Sequence, residues 1–328
     1  MPGGSASSPN ACDRRGRRFR LESRPATISG SGSSKTSILP DGQVVVLDSR
    51  LNVIRTYEPT GALVGQGSRP GSGPGELQAP EALAMDSRGN VVVADRFNAL
   101  KIFRLAGGTF THERDIRVDF VPEDFCVIGP DIIVQSWRSN GTVLHRYSAD
   151  GAQIASFGRP YISESPLIQG QLSDGPLACS AGDSTIVMMF RYLPIVAAYG
   201  LDGTLRWRAL LSDFRPMRIE SFADDGRPAI SQSAREEHEI AEGLVEVAPG
   251  VIAVQVGTHD LASRRVHRDY KALHTYLLDA STGHGFYAGT GVPRIMAVDD
   301  RHLWGASTEP YPRVIGFELA PASMAGSP

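Results

Sequence analysis

Four arginines in this chain recur at equivalent places, each just after a short apolar segment. They are Arg50, Arg96, Arg138 and Arg191, and a later loop, 257–270, adds His259, Arg264, Arg265 and His267. Guanidinium groups bind carboxylates and phosphates through planar, paired hydrogen bonds, and several in one concavity attract negative charge. The pattern therefore predicts a surface that binds an anionic small ligand, a peptide or a protein. Two structural alternatives stay open, since the arginines can pair with Asp48 and Asp95 or join neighbouring repeats.

A second set of candidate residues consists of carboxylates at the beginnings of other apolar segments. Glu81 and Asp124 are the best placed of these, with Glu123 and Asp174 beside them in the pattern. Calcium prefers carboxylate oxygens, so a calcium site at Glu81 and Asp124 is one hypothesis. A zinc site built from His238, His259 and His267 is an alternative, although their spacing contains no HxH or HxxxH pair.

Composition argues against several classes of function. The chain has 328 residues, a formal net charge of −3 and only three lysines (Lys35, Lys101 and Lys271), so no lysine-rich patch for nucleic acid is present. It contains no P-loop, dinucleotide-binding fingerprint or serine nucleophile elbow. Of the three cysteines, Cys126 and Cys179 lie in apolar segments, and we expect both to be buried free thiols. No segment has the length of apolar sequence that a transmembrane helix needs.

The elements that must position these residues repeat along the chain. Four copies pair an aromatic residue with a glycine four positions later, at spacings of 44 to 52 residues: Tyr57 with Gly61, Phe103 with Gly107, Tyr147 with Gly151, and Tyr199 with Gly203. Tyr276 and Phe317 continue the series with altered turns. Each copy has a short upstream segment rich in valine and isoleucine, which is typical of a strand. The sequence therefore predicts an all-β fold, a six-bladed β-propeller with four-stranded antiparallel blades.

The two ends of the chain are predicted to complete the ring together. The sixth copy ends near Leu319 and lacks an outer strand, whereas Arg18–Glu22 alternates polar and apolar residues and can supply it. We therefore predict a propeller over 18–319 that is closed by an N-terminal strand and leaves no open sheet edge. Residues 1–17 and 320–328 are expected to be disordered tails. An insertion at about 212–239, between blades 4 and 5, is expected to form a hairpin flap.

The segment Arg69–Gly108 contains the repeat in its most complete form. It has a glycine-rich lead, a proline, an apolar strand, the turn Asp86-Ser87-Arg88-Gly89, the strand end Val93-Ala94-Asp95, and an N-x-x-K-I element at Asn98–Ile102. This segment resembles the NHL-type repeat found in six-bladed propellers. The resemblance implies a scaffold on which relatives carry different functions. Some are similar to gluconolactonase and paraoxonase and hold calcium, and others are lyases that bind zinc through histidines.

This chain departs from the calcium-binding pattern, because none of its five asparagines lies in a predicted inner strand. The leading hypothesis is therefore a non-catalytic NHL-type binding module that recognises a protein, peptide or anionic ligand on its arginine-bearing face. A metal-dependent hydrolase or lyase that uses the channel mouth is the alternative. Residues 1–16 contain no apolar leader, but Ala11-Cys12-Asp13 is similar to the remnant of a lipoprotein cleavage site. An exported or lipid-anchored, extracytoplasmic location is the corresponding expectation.

Overall fold

The computed structural model describes residues 10–12, 18–29, 34–137, 141–224, 227–233, 237–260, 270–299, 302–307 and 313–319. The N-terminal strands are β1 (Asn10–Cys12) and β2 (Arg18–Ser29). Blade 1 comprises β3 (Ser34–Ile38), β4 (Val44–Asp48), β5 (Val53–Tyr57) and β6 (Leu63–Gly67). Blade 2 comprises β7 (Pro80–Met85), β8 (Val91–Asp95), β9 (Ala99–Ala106) and β10 (Thr109–Arg117). Blade 3 comprises β11 (Asp124–Ile128), β12 (Asp131–Gln135), β13 (Leu144–Tyr147) and β14 (Gln153–Phe157).

The second half of the chain adds one helix and an extra hairpin. Helix α1 (Pro166–Ser173) precedes blade 4, which comprises β15 (Leu177–Ser180), β16 (Thr185–Met189), β17 (Ile195–Gly200) and β18 (Leu205–Leu210). The hairpin strands β19 (Arg218–Asp224) and β20 (Arg227–Ser233) follow. Blade 5 comprises β21 (His238–Ala248), β22 (Val251–His259), β23 (Ala272–Asp279) and β24 (Gly285–Gly289). Blade 6 contains β25 (Arg294–Val298), β26 (His302–Ser307) and β27 (Arg313–Leu319), together with β2.

Six blades of antiparallel strands form a closed ring, which confirms the predicted six-bladed β-propeller. The first strand of each blade lies innermost and contacts its counterparts in both neighbouring blades, in the order β3, β7, β11, β15, β21, β25 and back to β3. Adjacent strands of each blade run antiparallel. The loop that enters the first strand and the loop that joins the second and third strands therefore lie at the same end of the blade. We call this end of the ring the top face.

Blade 6 is completed by the N-terminal segment, as the sequence predicts. Strand β2 pairs antiparallel with β27, with Leu21 opposite Leu319 and Ser23 opposite Phe317. The closing strand is longer than the predicted Arg18–Glu22. In addition, β1 pairs with its first residues, so three residues of the expected N-terminal tail form a strand. The remaining residues of both expected tails, 1–17 and 320–328, lie outside the described part of the chain.

The core lies between the blades. Among the described residues, six apolar clusters form, one at each interface between adjacent blades. Every residue of β4, β8, β12 and β16 is buried, because a second strand has a neighbouring blade on both of its sides. Continuous apolar runs such as Val44–Leu47 are the sequence consequence, since such a strand has no solvent-facing side on which to place polar residues.

The glycine of the repeat makes the turn between the third and fourth strands. Gly61 and Gly151 each have φ near +91°, a left-handed conformation that side chains with a Cβ rarely adopt. Their amides donate to Glu58 O at 2.8 Å and Ser148 O at 2.9 Å, which closes each turn. The period of the glycines in the sequence therefore reflects a turn that requires positive φ and occurs once in each of these blades.

The prediction of two free thiols is wrong, because Cys126 and Cys179 form a disulfide. The two cysteines are 53 residues apart, about one repeat, and each is the third residue of an innermost strand, β11 or β15. Equivalent positions in consecutive blades lie side by side in a ring, which places the two Cα atoms 5.7 Å apart. The signal for this bond in the sequence was that the two cysteines are separated by about one repeat, rather than that they form a local CxxC motif.

The insertion between blades 4 and 5 forms a two-stranded antiparallel hairpin, with Arg218 opposite Ser233. Both of its strands contact α1, which lies in the loop that enters blade 4 on the top face. The predicted turn residues Asp225 and Gly226 lie outside the described residues. Whether the hairpin acts as a flap stays a prediction. No helix in the described ranges is long and apolar enough to cross a membrane.

The disulfide is expected to contribute substantially to stability. Replacing both cysteines (Cys126→Ala with Cys179→Ala) should lower the free energy of unfolding by about 2–4 kcal/mol, because the bond closes a long loop in the unfolded chain. Chemical denaturation with and without a reductant measures this. The wild type in reductant should match the double variant, and Cys12→Ala, which leaves the disulfide intact, is the control. Equal stability of oxidised and reduced wild type would contradict the expected contribution.

Candidate functional site

The loops that carry Arg50 and Arg96 are stabilised by the acid at the end of the preceding strand. Asp48 Oδ1 accepts hydrogen bonds from the amides of Arg50 at 3.2 Å and Leu51 at 3.1 Å. Asp95 is fully buried and accepts from the amides of Gln78 at 3.0 Å and Ala79 at 3.1 Å, in the loop that enters blade 2. Asp48 therefore stabilises the turn that follows it, and Asp95 both links its loop to the loop that enters blade 2 and accepts from the Phe97 amide at 3.4 Å. Among the described residues, Asp48 forms an ion pair with Arg55 at 3.4 Å.

The asparagines that follow make the same turns possible. Asn52 and Asn98 have φ of 55° and 59°, the left-handed region in which asparagine is the commonest residue after glycine. Asn52 Nδ2 also donates to Gln78 O at 2.9 Å, and Asn98 O accepts from the Val118 amide at 3.0 Å. Each loop is thus fixed to the adjoining loop of the top face. The residue before each asparagine is held on the exposed side of its turn.

The predicted arginines have different surroundings. Arg50 is exposed, and its side chain makes no ion pair with the described residues. Arg96 lies between two blades, with Nη1 3.5 Å from Glu81 of its own blade and Nη2 3.1 Å from Glu123 at the entrance to blade 3. Arg191 Nε donates to Asp174 at 2.8 Å. Arg138, Arg264, Arg265 and His267 lie outside the described residues.

A band of alternating charges lies around the channel mouth, with members from all six blades, and we call it the mouth belt. Besides the pairs of Arg96 and Arg191, it contains three contacts: Lys35 with Asp124 at 3.8 Å, His259 with Glu242 at 2.8 Å, and Arg294 with Glu242 at 3.6 Å. The pairs of Arg96 with Glu123 and of Arg294 with Glu242 cross a blade boundary, and the others of Arg96 and Arg191 lie within one blade. Unlike Arg50, these arginines are paired with carboxylates, and the second structural alternative, arginines that join neighbouring repeats, applies to Arg96.

Two carboxylates of the mouth belt lie at β-bulges in innermost strands. The register of β7 skips Glu81 between Pro80 and Ala82, and that of β21 skips Glu242 between Ala241 and Gly243. A bulge adds a residue that has no cross-strand partner and redirects its side chain. The side chains of Glu81 and Glu242 therefore do not follow the in–out alternation of their strands. Glu81 contacts Arg96, and Glu242 contacts His259.

Burial and neighbouring charges shift the pKa values of two glutamates in the mouth belt in opposite directions. Burial, together with repulsion from Asp174, raises the pKa of Glu123 to about 7, in spite of attraction from Arg96 and Arg191. Burial opposes ionisation of Glu242 too, but a hydrogen bond from His259 and the charge of Arg294 hold the pKa of that carboxyl below its usual range. The pKa values of the two glutamates differ because neighbouring carboxylates repel the charge of Glu123, whereas the groups beside Glu242 stabilise its charge.

The residues predicted to bind metals are engaged within the protein. Asp124 accepts from the amides of Phe125 at 3.0 Å and Leu177 at 3.1 Å, and the second of these bonds joins blade 3 to blade 4. His238 and His259 were expected in irregular loops. They lie instead in β21 and β22, buried and directly opposite each other. The described residues include no group of three or more histidines, cysteines or acids arranged to hold a metal ion. Calcium at Glu81 and Asp124 stays a prediction.

Sequence reasoning missed an exposed apolar surface on the top face, which we call the apolar rim. Its members come from the same loops as the arginines and from the loops that enter blades 3 and 4: Leu51, Phe97, Val121, Tyr161, Ile162 and Leu167. Ile162 is 84% exposed and Phe97 54%. A signal was present in the sequence, because the residue between arginine and asparagine is Leu51 in blade 1 and Phe97 in blade 2.

Comparison with known proteins supports the fold alone. No protein-family model matches the chain, and no curated protein is significantly similar in sequence. Among solved structures, a member of the DUF4221 family from Bacteroides vulgatus aligns with a TM-score of 0.57 and 10% identity, over 93% of this chain and 99% of its own. The RRP9 WD40 repeats align at 0.56 and 11%, over 92% and 100%. A putative exported protein from Bacteroides fragilis aligns at 0.54 and 12%, over 92% and 96%. The resemblance to NHL-type repeats stays a prediction.

The environments of Arg96 and Arg50 predict different effects of charge reversal. Arg96→Glu would bring a third carboxylate against Glu81 and Glu123 at a blade boundary, and should lower the free energy of unfolding by about 1–3 kcal/mol. Arg50→Glu, at an exposed position in the equivalent loop, should change it by less than about 0.5 kcal/mol. Urea denaturation of the two variants side by side is the measurement. Similar losses in both would show that Arg96 does not join the blades.

The raised pKa of Glu123 predicts a dependence of stability on pH. An acid whose native pKa lies above its unfolded value weakens the fold as it ionises, so stability from this group falls as pH rises from about 4.5 to about 7. Glu123→Gln removes this ionisation. The free energy of unfolding of the variant relative to wild type should therefore rise by about 2–3 kcal/mol across that range and stay constant above it. Denaturation at several pH values tests this, with Glu164→Gln, at an exposed position, as control, and parallel profiles would refute it.

Proposed function

We propose that this propeller is a non-catalytic, NHL-like binding module that recognises a peptide or an extended segment of a protein on its top face. The observation that carries the proposal is the juxtaposition of an arginine and an exposed apolar side chain in the same rigid turns, Arg50 with Leu51 and Arg96 with Phe97. Aromatic residues and arginine are enriched at the energetic centres of protein interfaces. Large apolar side chains that a soluble protein leaves exposed together mark interaction sites.

Rigidity of the rim supports binding. The turns that present Leu51 and Phe97 are fixed by Asp48 and Asp95, as described above, and by hydrogen bonds to the loops beside them. A binding surface that is already ordered loses little conformational entropy when a partner docks. The rim surrounds the channel mouth on the side of blades 1 to 4, so a partner that lies across it also reaches the mouth belt.

The balance of charge favours a peptide over a simple anion. Arg96 and Arg191 already face carboxylates, and a free anion would have to displace those acids or approach them. A peptide carries backbone donors and acceptors together with side chains of both signs, and it can complement paired charges one by one. The half-exposed pair of Arg96 and Glu81 is suited to this, because each group keeps part of its surface in water.

The disulfide bears on where the protein works. Disulfides persist in secreted and periplasmic proteins and are rare in reducing compartments. The bond between Cys126 and Cys179 therefore supports an extracytoplasmic location for the module. A lipid anchor at Cys12, the expectation from the sequence, would be compatible with a top face that stays available to partners.

Selection from a displayed library of random peptides, with the full chain as bait, tests the proposal. Selected peptides should bind wild type saturably. Phe97→Ser and Ile162→Ser should each weaken binding by about tenfold or more, since each removes a central apolar contact. Fluorescence anisotropy with labelled peptides gives the Kd values, and thermal melting checks the fold of each variant.

Leu205→Ser is the matched control, because Leu205 is equally exposed but lies on an outer strand of blade 4. It should leave the Kd unchanged. Peptides that are sensitive to Leu205→Ser and indifferent to both rim variants would overturn the proposed surface. If the library yields no saturable binder and citrate instead binds in a manner that depends on Arg50, the ligand is a small anion and the peptide proposal is wrong.

A further inference from the structure

A cleft of about 350 Å³ lies between blades 4 and 5, and none of its lining residues belongs to the apolar rim or the mouth belt. One side is the segment that leaves β18, with Asp213, Phe214 and Arg215. The other side is blade 5, which contributes Glu239, Val256, His274, Tyr276 and Tyr287. Its size is within the range of sites for small organic ligands. Four of the eight lining residues carry aromatic rings and three are charged.

Two tyrosine rings form a corner in this cleft. Their centroids are 5.2 Å apart and their planes meet at 49°, and both Tyr276 and Tyr287 line the cleft. Tyr287 is half exposed, but its hydroxyl is 2.8 Å from His274 Nδ1. The other nitrogen of His274 is 3.0 Å from the Thr258 hydroxyl, which donates in turn to Glu239. This chain of hydrogen bonds holds the outer tyrosine in place without a ligand.

Among the described residues, the charges around the cleft leave one net negative charge. Arg215 is bound by Glu239 and, through Nη1 at 2.9 Å, by Glu237, which also pairs with Lys271. Two basic groups and two carboxylates thus balance. Asp213 is exposed and makes no ion pair with the described residues. Consistently, burial, the neighbouring Tyr287 and the charges of Asp213 and Glu239 all raise the pKa of Tyr276.

We propose that this cleft binds a compact organic cation, with its ammonium group against the faces of Tyr276 and Tyr287 and with Asp213 as the counter-ion. Aromatic faces attract cations through the ring quadrupole, and a quaternary ammonium group is easily desolvated for such contact. A nearby carboxylate adds charge attraction that a neutral ligand of the same shape cannot use. An anion is disfavoured, because the guanidinium of Arg215 already has two carboxylate partners. This site is independent of the peptide surface proposed above.

Choline and 3,3-dimethylbutan-1-ol are the probes that separate charge from shape, since the second is the neutral isostere of the first. Isothermal titration calorimetry with the full chain should show saturable binding of choline, and binding of the alcohol at least about tenfold weaker. Tyr287→Ala should weaken choline binding by about tenfold or more, because one face is lost. Tyr287→Phe, which keeps the ring, should change it by less than about threefold.

Asp213→Asn keeps the shape of the cleft and should weaken binding of choline about fivefold while leaving the alcohol unaffected. Asp150→Asn, at an exposed aspartate of blade 3, is the matched control and should have no effect. Equal affinity for the two probes would overturn the proposal, as would choline binding that Asp213→Asn and Tyr287→Ala leave intact. So would the absence of saturation by choline up to about 20 mM, because a Kd beyond this corresponds to less than one desolvated cation–aromatic contact.

Discussion

The pairing of β2 with β27 is the interaction on which the rest of the structure depends. Five blades can form from consecutive segments of the chain, but the sixth needs a strand from the opposite end. Hydrogen bonds between residues such as Leu21 and Leu319 join the two ends and remove the free edge of β27. Since apolar clusters lie between blades, each blade is covered on both sides only when the ring is closed. Closure thus determines burial throughout the molecule.

Within the closed ring, polar contacts specify how neighbouring blades meet. The apolar interfaces alone permit blades to slide, because dispersion and burial have little direction. Directional links lie near the channel: the disulfide and the bond from Leu177 to Asp124 between blades 3 and 4, and Arg96 between blades 2 and 3. Their position near the axis, where strands of adjacent blades are closest, lets short contacts set the geometry of a wide ring. The same groups make the channel mouth a surface of balanced charge.

The apolar rim and the blade 4–5 cleft have different origins in the sequence. The apolar rim follows the repeat, since the same turn presents Leu51 and Phe97 in successive blades. The cleft follows the insertion, because the chain between β18 and β21 leaves the blade pattern and packs Phe214 against blade 5. The repeated turns therefore place similar side chains in successive blades on the top face. The irregular segment, in contrast, forms a cleft at one blade boundary among the described residues.

The sequence by itself determined the blade number, the turn glycines and the closing strand. These follow from local backbone requirements and from the spacing of the aromatic–glycine pairs along the chain. Gly61, for example, has a positive φ in its turn, a conformation that glycine adopts without strain. The sequence did not determine the partners of Arg96, the disulfide of Cys126, or the opposition of His238 and His259. Those contacts join residues from different strands or blades, and their distances depend on register, bulges and the curvature of the ring. Only the tertiary structure decided them, because a repeat pattern defines equivalent positions but not which equivalent positions touch.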